Sequence, residues 1–388
     1  MSRRSSPRVF LFALLSLCYV FTNATWIQRT GVGKEIGSTK RWHRHGITSS
    51  SDGTKLAAVA YSGGIWTSTD SGATWNGGSG RPGGLWITIS SSSDGTKLAA
   101  GLYNGNIWTS MDSGDNWDEV SFPGSSQFWQ HIIHYGDGTK LAAVCGGWGG
   151  GSGIIYLSTN SGIDWAPSGA PTGKNWRNIA SSSDGTKLAA VENAGHIWTS
   201  PNSGVTWTQG SQFQYWNGIT SSSDGIKLFA VVGTDNIAGN IFSSSDSGAN
   251  WIVTGTPCGR FSSSGTPCTT KKWQHIVSSD DATKLAAVAQ DANIWTSIDS
   301  GANWDEASVP GTQIWRSITS SSDGNKLAAS IWDGNIWTFD PNCYASSVSS
   351  KDGSDGSFYC INGGTIGGTP GSCTCTCNAG YGGSSCRG

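Results

Sequence analysis

The stretch IWTSTDSGATW, residues 65–75, decides the reading of this chain because it returns. IWTSMDSGDNW stands at 107–117 and IWTSIDSGANW at 294–304, with looser copies at 155–165, 197–207 and 241–251. Its residue types describe a fastened turn. Asp or Asn accepts backbone N–H groups, Gly supplies a positive φ, and Trp buries a large ring. A metal or catalytic role for the motif is the weaker reading, since Asn160 and Asn202 replace its acid in two copies.

Each copy closes a longer unit, and internal repetition of this kind speaks directly to architecture. A unit opens with Trp and, three residues on, Ile, as in Trp86 and Ile89. A Ser-rich Asp-Gly turn follows, then an apolar run such as KLAAV, then a Gly/Asn turn. Trp42, Trp86, Trp129, Trp176, Trp216, Trp273 and Trp315 mark seven starts, 40 to 57 residues apart. The first unit is irregular: Arg44 holds the aligned Trp position and Trp42 lies two residues earlier. Alternating and fully apolar runs between turn residues predict about four short strands per unit. Such units at a period of roughly 40–45 residues are the blades of a β-propeller. A parallel β-helix is the rival, but its rungs are far shorter. The seventh unit ends at IWTFD (336–340), while ATWIQRTG (24–31) mimics ATWNGGSG (73–80). Trp26 is therefore expected to bring the outer strand of the last blade, which removes exposed sheet edges.

Composition narrows the class. Arg3, Arg4 and Arg8 precede the apolar run 10–21 and small residues at Thr22 and Ala24, the layout of a secretory signal peptide. That run spans only about 18 Å as a helix, short of a bilayer core of roughly 30 Å, and no other segment is long and apolar enough to cross one. Without those arginines the 24 basic residues become 21 against 26 acidic ones, a formal charge of −5 that argues against nucleic-acid binding. Of ten cysteines, Cys343, Cys360, Cys373, Cys375, Cys377 and Cys386 crowd the C-terminus, as in a disulfide-stapled module. Cys258 and Cys268 flank a Gly/Ser/Pro loop and could close it, and Cys145 is left over. The expected fold is all-β: a signal peptide (1–24), a seven-bladed β-propeller closed by its N-terminal strand (25–340), and a small disulfide-rich module (341–388).

The repeated segment resembles the Asp-box, or BNR repeat, S-x-D-x-G-x-x-W. That repeat occurs in sialidases, sortilin-type receptors, xyloglucan hydrolases and the photosystem II assembly/stability factor family. Asp70, Asp112, Asp246 and Asp299 match it, and the resemblance spans 25–340. It implies a hairpin fastener at each copy. The sialidases also carry an Arg-Ile-Pro motif near the N-terminus, which is absent, and GRPGG (80–84) is no substitute. Tyr215 and Glu192 would be a conceivable nucleophile pair with nothing in the sequence to join them. Xyloglucan hydrolases work with paired propellers, and this chain has one. The tail resembles an EGF-like module through CINGGT (360–365), CTC (375–377) and CNAGYGGSSC (377–386). That resemblance implies Cys343–Cys373, Cys360–Cys375 and Cys377–Cys386, with the middle pairings left open by the single residue between Cys373 and Cys375.

Function is expected on one face of the propeller. Turns after the first and third strands repeat nearly unchanged, whereas those after the second and fourth vary, and binding usually resides in such unconstrained loops. Arg41, Arg44, Arg81, Arg177, Arg260 and Arg316 all map to the variable face, joined by Lys40, Lys174, Lys271 and Lys272. Glu192, Asp235, Asp291 and Asp333 reach it too. The candidate ligand-binding residues are Arg44, Arg81, Trp129, Gln130, Trp176, Arg177, Trp216, Trp273, Gln274, Trp315 and Arg316. Two readings of the tryptophans stand: aromatic platforms at the channel mouth for sugars or carboxylates, or packing between blades. His131 and His275 recur at one repeat position, which inheritance explains better than metal binding. These features predict a secreted or surface-associated, non-catalytic recognition protein for a glycan or protein, anionic by preference. No cofactor or metal is expected, and the chain is monomeric unless Cys145 pairs between molecules. The alternatives are a lumenal factor like the photosystem II assembly family, which the EGF-like tail and the lack of a bipartite transit peptide weigh against, or a sialidase-like glycosidase.

Overall fold

The computed structural model describes residues 26–29, 42–77, 83–120, 127–146, 152–254, 270–307, 309 and 313–339, with 344–345, 357–358, 365–369 and 372–376 toward the C-terminus. The chain separates into two compact parts, one of them Thr25–Pro341 and the other comprising Met1–Ala24 and Asn342–Gly388. All regular elements among the described residues are strands.

The Trp86 repeat shows the pattern. Trp86–Ser91, Leu98–Gly105, Ile107–Ser110 and Asp118–Val120 pair antiparallel in order, with Ile89 opposite Ala100, Ala100 opposite Trp108 and Trp108 opposite Glu119. Equivalent ladders start at Trp42, Trp129, Trp176, Trp216 and Trp273. The Trp315 repeat takes its fourth strand from the other end of the chain: Ile27–Arg29 pairs with Ile336–Phe339, Gln28 opposite Trp337. Trp26 is buried there, 6.4 Å from the ring of Trp315 and 5.6 Å from that of Phe339.

The core lies between repeats. Ala57, Val59 and Ile65 pack with Trp86, Ile89 and Leu98 of the next repeat. The alanines of the KLAAV runs leave room for these indoles, and truncating such a ring typically costs about 3–5 kcal/mol. The irregular first repeat keeps this arrangement. Trp42 itself, not Arg44, takes the equivalent place: it pairs with Ala60, and a register shift before Ile47 absorbs the two extra residues. Its indole N–H donates to Gly334 O at 2.7 Å, as Trp129 does to Gly105 O and Trp273 to Gly239 O.

The repeated Ser-x-Asp-x-Gly-x-x-Trp turns are fasteners. Asp70 Oδ1 accepts from Ser68 Oγ and the backbone N–H of Thr74, both at 2.8 Å, and the Trp75 indole donates to Gly72 O at 3.0 Å. Gly72 has φ +83°, and a Cβ there would stand 2.8 Å from Thr338 Cγ2, so glycine is required. Asn160 and Asn202 do the same work as the acid, each accepting a backbone N–H at 2.9 Å.

The SSSDG-type turns bind one repeat to the next. Backbone N–H groups donate from Ser51 to Ser93, Ser93 to Gly136, Ser183 to Ser223, Ser223 to Asp280, Asp280 to Ser322, and from Ser322 back to Ser51 at 2.7 Å. Lysines add to this: Lys97, Lys140, Lys187, Lys227 and Lys284 each donate to a turn carbonyl of the following repeat. The array therefore returns on itself. In the smaller part, Thr365–Thr369 and Ser372–Thr376 form an antiparallel hairpin, and Tyr344–Ala345 runs parallel to Ser357–Phe358.

Candidate functional site

Each inner strand carries a register shift just after its Trp, as between Trp129 and His131 or Trp176 and Asn178. The shift turns the residue after Trp toward the channel mouth and the one after that toward the axis. The tryptophans stay behind. Trp129, Trp176, Trp216, Trp273 and Trp315 are at most 1% exposed. This corrects the platform reading: rings enclosed between repeats cannot stack on a ligand.

The polar residues that follow them form a girdle. Arg177 bridges two neighbouring repeats, donating from Nη1 to Gln130 Oε1 at 2.8 Å and from Nε to Asn217 Oδ1 at 3.1 Å. Arg316 is 7% exposed, and its Nη1 lies 2.8 Å from Asp235 Oδ1 and 3.2 Å from Gln274 Oε1. Its guanidinium also stacks 4.6 Å over the Trp332 ring. Lys174 pairs with Glu192 at 3.4 Å, and Lys271 lies 4.9 Å over the Trp295 ring. Arg316 is thus matched in charge and enclosed, which corrects its reading as an anion fork. Arg177 is tied to neutral partners, and Gln274 is fully buried. These groups brace the mouth by charge-assisted hydrogen bonds. The side chain of Arg44, and Arg81 as a whole, lie outside the described residues, as do Arg41, Arg260 and Lys40.

What the same mouth does expose is aromatic. His43, Tyr61, Tyr103 and Phe128 form a row across the first three repeats, with ring centroids 6.0, 6.4 and 5.1 Å apart in sequence. Tyr103 is 44% exposed, and Leu85 beside it accepts the Tyr103 backbone N–H. The sequence does not single out this row, because Tyr61 follows the second strand of its repeat while Tyr103 lies near the end of its own, Leu98–Gly105. Their equal distance from Leu56 and Leu98 is the available signal.

On the axis the structure joins residues that sequence reasoning kept apart. His131 and His275 meet His45, which the two-residue excess of the first repeat brings inward. The ring centroids lie 4.3 Å (His45–His131), 4.8 Å (His45–His275) and 6.2 Å (His131–His275) apart. Asn178 Nδ2 stands 3.5 Å from both ring nitrogens of His45. The backbone N–H of Ile179 donates to His131 Nδ1 at 3.5 Å, and that of Ile318 to His275 Nδ1 at 3.3 Å. Burial lowers the pKa of His131 to about 3, helped by the neighbouring His275, and burial lowers His275 to about 4. The rings of His131 and His275 are accordingly neutral near pH 7. Below them a cavity of about 260 Å³ is lined by His131, His275, Ile179, Gly136, Ser182 and Ser183, so it reaches the SSSDG turns.

Cys145 is a free, buried thiol whose Sγ lies 3.1 Å from Ser152 Oγ. Cys258, Cys268, Cys343, Cys360, Cys377 and Cys386 lie outside the described residues. Cys373 and Cys375 are on the strand Ser372–Thr376, but their side chains are not described.

Ladders that close head to tail around a polar axis define a β-propeller. No protein-family model matches the sequence, and no curated protein matches it. Solved structures do. YCF48 from Cyanidioschyzon merolae superposes with a TM-score of 0.60 at 15% identity, covering 82% of this chain and 99% of that one. A structure described as YCF48 bound to D1 peptide superposes at 0.59, also with 15% identity, covering 81% and 96%. At that identity the likeness establishes the fold alone.

Proposed function

We propose that the chain is a non-catalytic recognition propeller that holds a segment of another polypeptide on its variable face. The observation that carries this reading is the row His43, Tyr61, Tyr103 and Phe128, an aromatic surface at the channel mouth with Tyr103 exposed and the other three half-buried. Tyr is favoured at protein interfaces because it gives a large apolar face and a hydroxyl at low entropic cost. The similar YCF48 structure, described with a bound D1 peptide, supports a peptide over a glycan. An anionic ligand is no longer favoured, since Arg316 is already matched by Asp235. In this reading seven blades are closed by the strand after Trp26, residues 1–24 direct export, and the tail is an EGF-like module. A lumenal assembly role, the alternative that the Asp-box resemblance implies, differs in setting, and locating the tagged protein in its own cell separates the two.

The test is binding of the full chain to a random peptide library and to a glycan array. Peptide ligands are expected, and Tyr61→Ala with Tyr103→Ala should weaken them by about 30-fold or more, as for a buried aromatic anchor. Lys55→Ala with Lys97→Ala, on the opposite face, should leave them unchanged. Binding to glycans alone, or peptide binding indifferent to the tyrosines, defeats the proposal.

A further inference from the structure

We propose that His45, His131 and His275 bind one divalent transition-metal ion of the Zn²⁺, Co²⁺, Ni²⁺ or Cu²⁺ class on the propeller axis. The three come from separate repeats, and each offers a ring nitrogen, all within 4.8 Å of one another. Three imidazoles suit borderline dications and leave a further coordination position open. Repetition accounts for His131 and His275, which follow their tryptophans by the same interval. It does not account for His45, which depends on the two extra residues of the first repeat.

Tetrahedral ligation at roughly 2.0–2.1 Å sets the nitrogens about 3.4 Å apart, so the rings must close by roughly an ångström. Two features allow it. Gly218 takes the corresponding inner-strand place in the Trp216 repeat and puts no side chain on the axis. The bonds now holding His131 and His275, at 3.5 and 3.3 Å, are longer than ordinary hydrogen bonds. Since both Nδ1 atoms accept backbone N–H groups, each neutral ring carries its proton on Nε2. Ligation through Nε2 moves that proton to Nδ1 and turns the ring off its backbone donor, exchanging one long hydrogen bond for a metal bond. A second observation points the same way. Asn178, fully buried beside His45, has an Oδ1 with no hydrogen-bond partner. A buried carbonyl oxygen without a donor is unfavourable, and at this place it can receive a ring N–H or a metal-bound water. The cavity that reaches the SSSDG turns supplies the entry path.

The test uses the full chain, stripped with chelator, titrated with Zn²⁺ by calorimetry and loaded with Cu²⁺ for electron paramagnetic resonance. One ion per chain is expected, with hyperfine structure from three nitrogens. His45→Gln, His131→Gln and His275→Gln should each weaken binding by at least about tenfold, the loss that even outer-shell changes produce. His134→Ser, outside the cluster, should leave it unchanged. A Co²⁺ spectrum showing thiolate charge transfer would assign the ion to the cysteines instead and overturn the proposal. So would no binding, or affinity unaltered in His131→Gln and His275→Gln. If those variants fail to fold, the nitrogen count of the wild-type Cu²⁺ spectrum decides: fewer than three overturns it.

Discussion

At the scale of single residues, the fastener turns show how one geometry tolerates different chemistry. Asn160 and Asn202 both accept a backbone N–H, but their amide groups face different partners: Asn160 Nδ2 donates to Asp164 Oδ2 at 2.8 Å, and Asn202 Nδ2 to Thr206 Oγ1 at 3.0 Å. Restoring the acid should therefore have unequal effects. Asn160→Asp loses a hydrogen bond and sets two carboxylates together, and should cost about 1 kcal/mol at pH 7. Asn202→Asp keeps a hydroxyl donor and should stay within about 0.5 kcal/mol of wild type. Urea unfolding of the two variants measures the difference, and equal losses would contradict the hydrogen-bond assignment.

At the scale of elements, the strand Ile27–Arg29 matters most. It adds few backbone hydrogen bonds, but it seats Trp26 against Trp315 and Phe339 and covers the edge of Ile336–Phe339. Arg29 Nε also donates to Thr338 Oγ1 at 2.7 Å. Trp26→Ala should destabilise the propeller by about 3–5 kcal/mol, the usual cost of deleting a buried indole. Thermal unfolding of the variant checks this, and a loss under about 1 kcal/mol would mean that the strand does not close the last sheet. The pairing joins residues some 310 positions apart, yet it was legible beforehand because ATWIQRTG copies a segment already placed inside another repeat.

At the scale of the molecule, the titration of stability combines two sets of groups. Asp52, Asp94, Asp184 and Asp281 are held at about 2, below the ordinary 3.8, each by a Ser hydroxyl first and a backbone N–H next. Their folded values are depressed, so their contribution is full above pH 3.8 and is lost as pH falls toward 2. His134 is lowered from 6.5 to about 3, by burial and then by Lys97. Here the unfolded chain takes up a proton that the folded one refuses, so stability declines from pH 6.5 downward. The melting temperature should fall in two stages, a first below about pH 6.5 and a steeper one below pH 4. His134→Ser should reduce the first stage and spare the second; an unchanged first stage would remove His134 from this account.

The sequence by itself determined the β class, the repeat, its turn chemistry and the strand that completes the last ladder. Each is a local pattern: the turn residues specify their own backbone, and a period of roughly 40 residues copies one solution along the chain. What the tertiary structure decided is the direction in which side chains point. Five tryptophans that could have faced a ligand are enclosed between repeats, and Arg316 meets an Asp235 that lies 81 positions away. The row of Tyr61, Tyr103 and Phe128 and the meeting of His45 with His131 and His275 likewise depend on closure. Bringing separate repeats around one axis sets side chains facing one another that no spacing along the chain relates. A two-residue excess before Ile47 reads in the sequence as a misalignment; in the folded ring it is a bulge that delivers an imidazole to the axis.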